Sequence, residues 1–237
     1  MAQNKLRQTG VALAVLGTLG AMLVLWMVFF WVPTERTMGI AQRIFYVHVP
    51  SAWIAFFAFG IVALCSGVYL WLKDERLDMA ALAAAEGGMV FCTIMILTGP
   101  LWARVSWGTW WTWEPRLVLT LLLWFIYFSY FLVRNATVNP EQGKRFAAVV
   151  GIVGVLDIPL IHISVSWMRS LHPEPVVLKP DGPSLDPEML ITLMVGLLAA
   201  TMLFLGLFLM RYTVECLKRE VDQRRTGAQA AQVTLGA

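Results

Sequence analysis

The sequence predicts an all-α, polytopic membrane helix bundle with six transmembrane helices and both termini cytoplasmic. Three observations predict it. Hydrophobic residues make up 59% of the 237-residue chain and charged residues only 14%, where soluble globular chains are near a quarter charged. Apolar stretches of the roughly 20 residues that cross a hydrocarbon core recur along the chain. Lysine and arginine gather on alternate connections between those stretches. With a mean hydropathy of +0.70, the composition excludes a disordered chain, a coiled coil, a nucleic-acid-binding protein and a water-soluble enzyme.

The first span is expected at 11–32, inside a stretch free of charge between Arg7 and Glu35. Lys5 and Arg7 precede it as in a signal peptide. The apolar run is too long for one, and no small-residue cleavage site follows, so an uncleaved anchor is expected. The second runs over 51–72, with Pro50 where a first helical turn tolerates proline. The third covers 80–102 and contains Glu86. The fourth, 117–133, is rich in Leu, Phe and Tyr. The fifth, 146–167, contains Asp157, Pro159 and His162, and the sixth covers 189–210. These spans make a membrane domain over 1–211, and the charged residues 212–237 form a cytoplasmic tail.

Orientation follows from the basic residues. Twelve of the 18 Lys and Arg fall on the N-terminus, the second-to-third and fourth-to-fifth loops and the tail. Cytoplasmic segments are the basic ones, so both termini are expected inside. Cys65, Cys92 and Cys216 stand far apart in no CxxC or CxxCH pattern, which excludes a disulfide framework, a thiol redox pair and a thiol-linked cofactor site.

Three unusual features then fall on the outer face: Arg43 to Pro50 before the second span, the Trp-rich connection of the 103–116 loop, and Trp167 to Pro173 after the fifth span. Five of the eleven tryptophans, Trp102, Trp107, Trp110, Trp111 and Trp113, lie within twelve positions. An interfacial aromatic belt spreads its indoles over both interfaces. Clustered indoles instead make a broad apolar platform edged with N–H donors, suited to a large planar ligand.

His48 and His172, two of only three histidines, each stand beside a proline at an expected helix end. Two neutral imidazoles on opposite faces of a porphyrin hold haem iron, whereas two histidines alone are too few for zinc. Arg43 and Arg116 lie on the same face, where propionates want forked cationic donors. Glu86, Asp157 and His162 lie within spans and are expected to bond to backbone or to neighbouring helices; Glu86 is also a candidate contact for a small membrane partner.

Trp107 to Leu117 (WGTWWTWEPRL), Phe45 to Trp53 (FYVHVPSAW) and Ser164 to Pro173 (SVSWMRSLHP), in this order over six spans, resemble the tryptophan-rich haem-handling proteins of cytochrome c biogenesis. The resemblance extends to about Arg211 and does not suit the larger ligase members. It implies a protein of the bacterial inner membrane that holds haem b without a covalent bond at the periplasmic face. His48 and His172 would be axial ligands, Trp107, Trp110, Trp111, Trp113 and Glu114 the Trp-rich segment, and Arg43 and Arg116 the residues near the propionates. The partners implied are a periplasmic haem chaperone (cytochrome c maturation protein E), the membrane and ATPase subunits of an ATP-binding-cassette pair, a small one-span accessory protein and membrane lipid. A transfer protein rather than an enzyme is expected, since the chain has no catalytic constellation or ATP-binding motif. Glu114 departs from the Asp usual in that family by one methylene. A b-type electron-transfer subunit, and a transporter or channel subunit for haem or another solute, remain alternatives.

Overall fold

The computed structural model of the chain describes residues 2–168, 171, 172, 177, 179 and 182–235, without the side chains at 2, 166 and 228–235. Among these residues the chain forms helices α1 (Ala2–Phe30), α2 (Phe45–Leu72), α3 (Glu75–Trp107), α4 (Pro115–Asn135), α5 (Pro140–Val155), α6 (Asp157–Trp167) and α7 (Pro187–Leu235), with a 3₁₀ turn at Ile40–Ile44 before α2. Six stretches are long and apolar enough to cross a membrane, as expected; α5 and α6 together make the fifth.

Local chemistry sets most of the boundaries. Asp74 caps α3 by accepting the Arg76 N–H at 2.9 Å, and Asn139 caps α5 by accepting that of Glu141 at 3.0 Å. Such caps satisfy donors that a helix start leaves open. Pro115 and Pro140 open α4 and α5 at the one place where a missing N–H costs nothing. Gly108 closes α3 at φ 76°, a left-handed conformation that suits glycine at a helix C-terminus.

Two expectations need correction. The fifth span is not one helix: α5 ends at Val155 and α6 begins at Asp157. Pro159 has no N–H for the carbonyl four residues back, which is Val155, and its ring crowds that carbonyl, so the ladder parts there. The second span begins earlier than 51, at Phe45, so Pro50 lies inside α2 and not in its first turn. Burial explains the extension, because Phe45 and Tyr46 are 8% and 2% exposed and pack with Val24, Val28 and Leu193. His48 therefore projects from the first turn of α2, at the helix end where it is expected, with Pro50 just beyond it.

The main core joins α2, α3 and α4. Small residues Ala81, Ala84, Ala85 and Gly88 of α3 meet Ala55, Ala58 and Phe59 of α2, the close approach by which membrane helices associate without a hydrophobic drive. Phe59 stacks nearly parallel on Tyr127 of α4, whose hydroxyl donates to the Phe59 carbonyl at 3.2 Å. At the end of the bundle away from the Trp-rich loop, Arg134 of α4 grips Asp78 of α3 through two hydrogen bonds of 2.6 and 2.5 Å. Beside it Arg211 of α7 pairs with Glu86 and Glu215, and Arg219 with Glu75 at 2.9 Å. Glu86 is thus engaged inside the chain.

Helix α1 packs chiefly along α7, backbone on backbone. A Cβ added to Gly17 would lie 2.4 Å from the Leu203 nitrogen, and one on Gly206 2.4 Å from the Ala14 nitrogen. Main-chain atoms cannot yield as a flexible side chain can. Gly206→Val should therefore push the two helices apart at an overpacking cost of about 1–3 kcal/mol. It should lower the melting temperature in detergent and speed proteolysis in the 31–39 connection; a protein as stable and as protease-resistant as the parent would contradict the contact.

Candidate functional site

At the opposite end of the bundle a cavity opens between the helices. Each element brings one wall. The N-terminal half of α2 supplies His48, Ala52 and Phe56, and the C-terminal part of α3 supplies Met95 to Trp102 and Trp107. The loop and α4 contribute Trp111, Arg116 and Thr120, α6 contributes Ile161, and the segment before α7 contributes His172. Antiparallel neighbours joined by short connections bring these distant stretches to one level.

Trp102 is a neighbour of both histidines. Its ring centroid lies 6.2 Å from that of His48 and 6.1 Å from that of His172, the latter in an edge-on contact. Trp102 is only 8% exposed, and its indole N–H, like that of Trp111, is buried with no hydrogen-bond partner among the described residues. His48 Nδ1 lies 2.9 Å from the Thr98 hydroxyl. Arg116 is half-buried in the same wall, with the Glu114 carboxylate as its electrostatic neighbour.

Glu114 itself is 9% exposed and does not line the cavity. One of its carboxylate oxygens accepts the Leu171 N–H at 2.6 Å, tying the Trp-rich loop to the segment that carries His172. The remaining nominated residues lie outside the cavity wall. Trp110 is 56% exposed under the Arg104 guanidinium, 6.0 Å from its ring centre. Trp113 is 80% exposed with its ring 5.9 Å from Trp111. Arg43 sits on the 3₁₀ turn over the Phe29 ring, 5.4 Å away. The expected single platform is thus divided: Trp107 and Trp111 face the cavity, and Trp110 and Trp113 the outside.

Trp102 and Thr98 were not among the residues the sequence nominated. Their i, i+4 spacing on α3 places them on one helix face, a signal that becomes meaningful only once His48 is known to lie opposite. His162 is exposed, and its Nδ1 bonds to the Ile158 carbonyl at 3.0 Å, the local role expected for it. Asp157 is 5% exposed at the start of α6, and neither of its carboxylate oxygens has a hydrogen-bond partner among the described residues. Arg169 and Pro173 lie outside the described residues.

Among the described residues no group of three or more His, Cys, Asp or Glu is gathered to hold a metal ion. Paired imidazoles over an apolar cavity instead suit a metal that brings its own equatorial ligands. The fold and the cavity define a multi-pass membrane protein with a binding chamber at one end of its bundle. Comparison with known proteins gives the family. A family model described as Heme exporter protein C matches residues 2–227. The chain is 37% identical over 190 residues to Heme exporter protein C of Bradyrhizobium diazoefficiens, covering 80% of this chain and 72% of that one. It is 32% identical over 203 residues to the Haemophilus influenzae protein of the same name (86% and 82% covered), and 32% over 161 residues to that of Escherichia coli K12 (68% and 64%). The chain belongs to the Heme exporter protein C family of cytochrome c biogenesis.

Proposed function

We propose that this protein holds haem b, without a covalent bond, at the periplasmic end of its bundle and delivers it to a periplasmic haem chaperone of the cytochrome c maturation protein E kind. The observation that carries the reading is that His48 and His172, far apart in sequence, line one largely apolar cavity, each beside Trp102. Haem is the cargo. His48 and His172 bind its iron, Trp107, Trp111 and Trp102 bury the ring, and Arg116 with the two indole N–H groups receives the propionates. Trp110 and Trp113, exposed at the mouth, meet the chaperone or the lipid headgroups, and Arg43 steadies the turn that leads into α2. One porphyrin edge stays open so that the chaperone's histidine reaches a vinyl group.

Burial of a flat apolar ring supplies most of the affinity, at roughly 25 cal/mol per Å² removed from water. The iron bonds add orientation and are broken at transfer. Both termini lie in the cytoplasm, where the 212–237 tail meets anionic lipid or the ATPase subunit of an ATP-binding-cassette pair. The small one-span partner docks within the bilayer.

The test is an absorption spectrum of the detergent-purified protein with added haem, oxidised and reduced, beside a His48→Ala/His172→Ala variant, followed by mixing with the chaperone. The parent should give a six-coordinate spectrum and load the chaperone; the variant should lose both. Normal loading by the variant would remove the two ligand roles, and a parent that binds no haem would remove the whole reading.

A further inference from the structure

The hydrogen bond that His48 makes to α3 has a direction, and the direction can be worked out by counting hydrogens. The Thr98 hydroxyl owns one hydrogen. Its oxygen lies 2.7 Å from the Ile94 carbonyl and 3.2 Å from that of Met95, and carbonyls only accept, so the hydrogen has two backbone acceptors within reach and the geometry favours donation to the helix. Toward His48 a hydroxyl so engaged has only lone pairs to offer, and the 2.9 Å contact then requires a hydrogen on Nδ1. The Met95 carbonyl, another acceptor, also faces the imidazole. A neutral imidazole carries a single N–H. With it on Nδ1, Nε2 keeps a bare lone pair, the reverse of the form histidine favours in water. A Cβ built on Gly99 would lie in ordinary contact with His48 Cε1, at 3.5 Å, so the Nδ1–Cε1 edge rests on α3.

We infer that Thr98 is a positioning residue that fixes the His48 tautomer and ring orientation so that Nε2 is the nitrogen presented to iron in the cavity, an inference that rests on the haem reading above. An N–H bond from the far side of a ligating imidazole locks the ring and raises its basicity, and losing such a partner typically costs 10–100-fold in metal affinity. A neutral hydroxyl does this more gently than a carboxylate. That suits a ligand whose iron bond is made to be broken when cargo is handed on.

The test begins without haem. Protein labelled with ¹⁵N-histidine contains three imidazoles, and His48→Ala identifies the signals of the relevant one. In the parent and in Thr98→Ser, His48 should show a protonated Nδ1 and a bare Nε2. In Thr98→Val, of nearly the same shape, Nδ1 loses its hydroxyl acceptor and keeps only the Met95 carbonyl, so the Nε2-protonated form should rise above its level in the parent. The same three proteins are then loaded with haem and challenged with an apo-globin scavenger. Thr98→Val should lose haem 10–100-fold faster and change its low-spin EPR signals, with Thr98→Ser close to the parent.

A parent with its proton on Nε2 overturns the proposal, as does Thr98→Val with unchanged haem loss and EPR. A parent that follows the tautomer pattern but binds no haem overturns the haem reading and, with it, the positioning role, while leaving the hydrogen bond established.

Discussion

Asp78→Ala should destabilise the protein by about 3–5 kcal/mol, the usual cost of stripping one partner from a buried ion pair. The two side chains are 4% and 14% exposed, so water cannot take over the work of the lost carboxylate. Both guanidinium nitrogens of Arg134 point at Asp78 in a forked arrangement, and the variant would leave that whole fork facing a cavity. Thermal unfolding in detergent measures the loss. Asp78→Asn, which accepts one hydrogen bond but carries no charge, should fall between parent and Ala. Replacing Arg134 and Asp78 together by Leu should recover much of the stability, because an apolar pair leaves no charge behind. A loss below 1 kcal/mol for Asp78→Ala would mean that this end of the bundle is wetter than its packing indicates.

Glu114→Ala should loosen the His172 segment and speed haem loss by roughly 10–100-fold. The bond from the Leu171 N–H to a buried carboxylate belongs to the class worth about 1.5–3 kcal/mol, and each 1.4 kcal/mol is a factor of ten. Glu114→Gln separates the two things the carboxylate does. Its amide oxygen still accepts from Leu171 N–H, so His172 should stay in place, but the negative charge beside Arg116 is gone. Haem retention in Glu114→Gln close to the parent would assign the effect to the tether; retention as poor as in Glu114→Ala would assign it to the charge. Glu114→Asp should fall short of Leu171 by one methylene and behave more like Ala than like Gln.

The bundle was legible in the sequence because apolar length is a strong physical requirement. Its interruptions were harder to read. Hydropathy runs unbroken from Phe146 to Trp167, and the parting at Leu156 comes from the effect of Pro159 on a carbonyl four residues earlier. The start of α2 escaped because Phe45 and Tyr46 gain their burial from α1 and α7, which are distant in sequence. At the cavity, His48, His172, Trp107, Trp111 and Arg116 share one lining. The division of the tryptophans was not readable, since a run such as Trp110-Trp111-Thr112-Trp113 has no periodicity to say which indole turns inward. Trp102 was counted in the cluster but not nominated, and Thr98 drew no attention, because a hydroxyl inside an apolar span normally bonds only to its own helix.

The close union of α1 with α7 bears on how the protein is made. The two closely fitted helices, with Gly17 against Leu203 and Gly206 against Ala14, lie far apart in the chain, so α1 is made well before α7. At 5–20 residues per second, α1 waits on the order of 10–40 s for its partner to be synthesised. During that interval its glycine face is open to lipid, to the insertion machinery or to another chain with a similar face. The intermediate helices can settle into their core while α1 stays unclaimed, so this part of the fold is fastened only when α7 arrives. A chain stopped before Pro187 would have its cavity walls largely assembled and its opening helix still adrift.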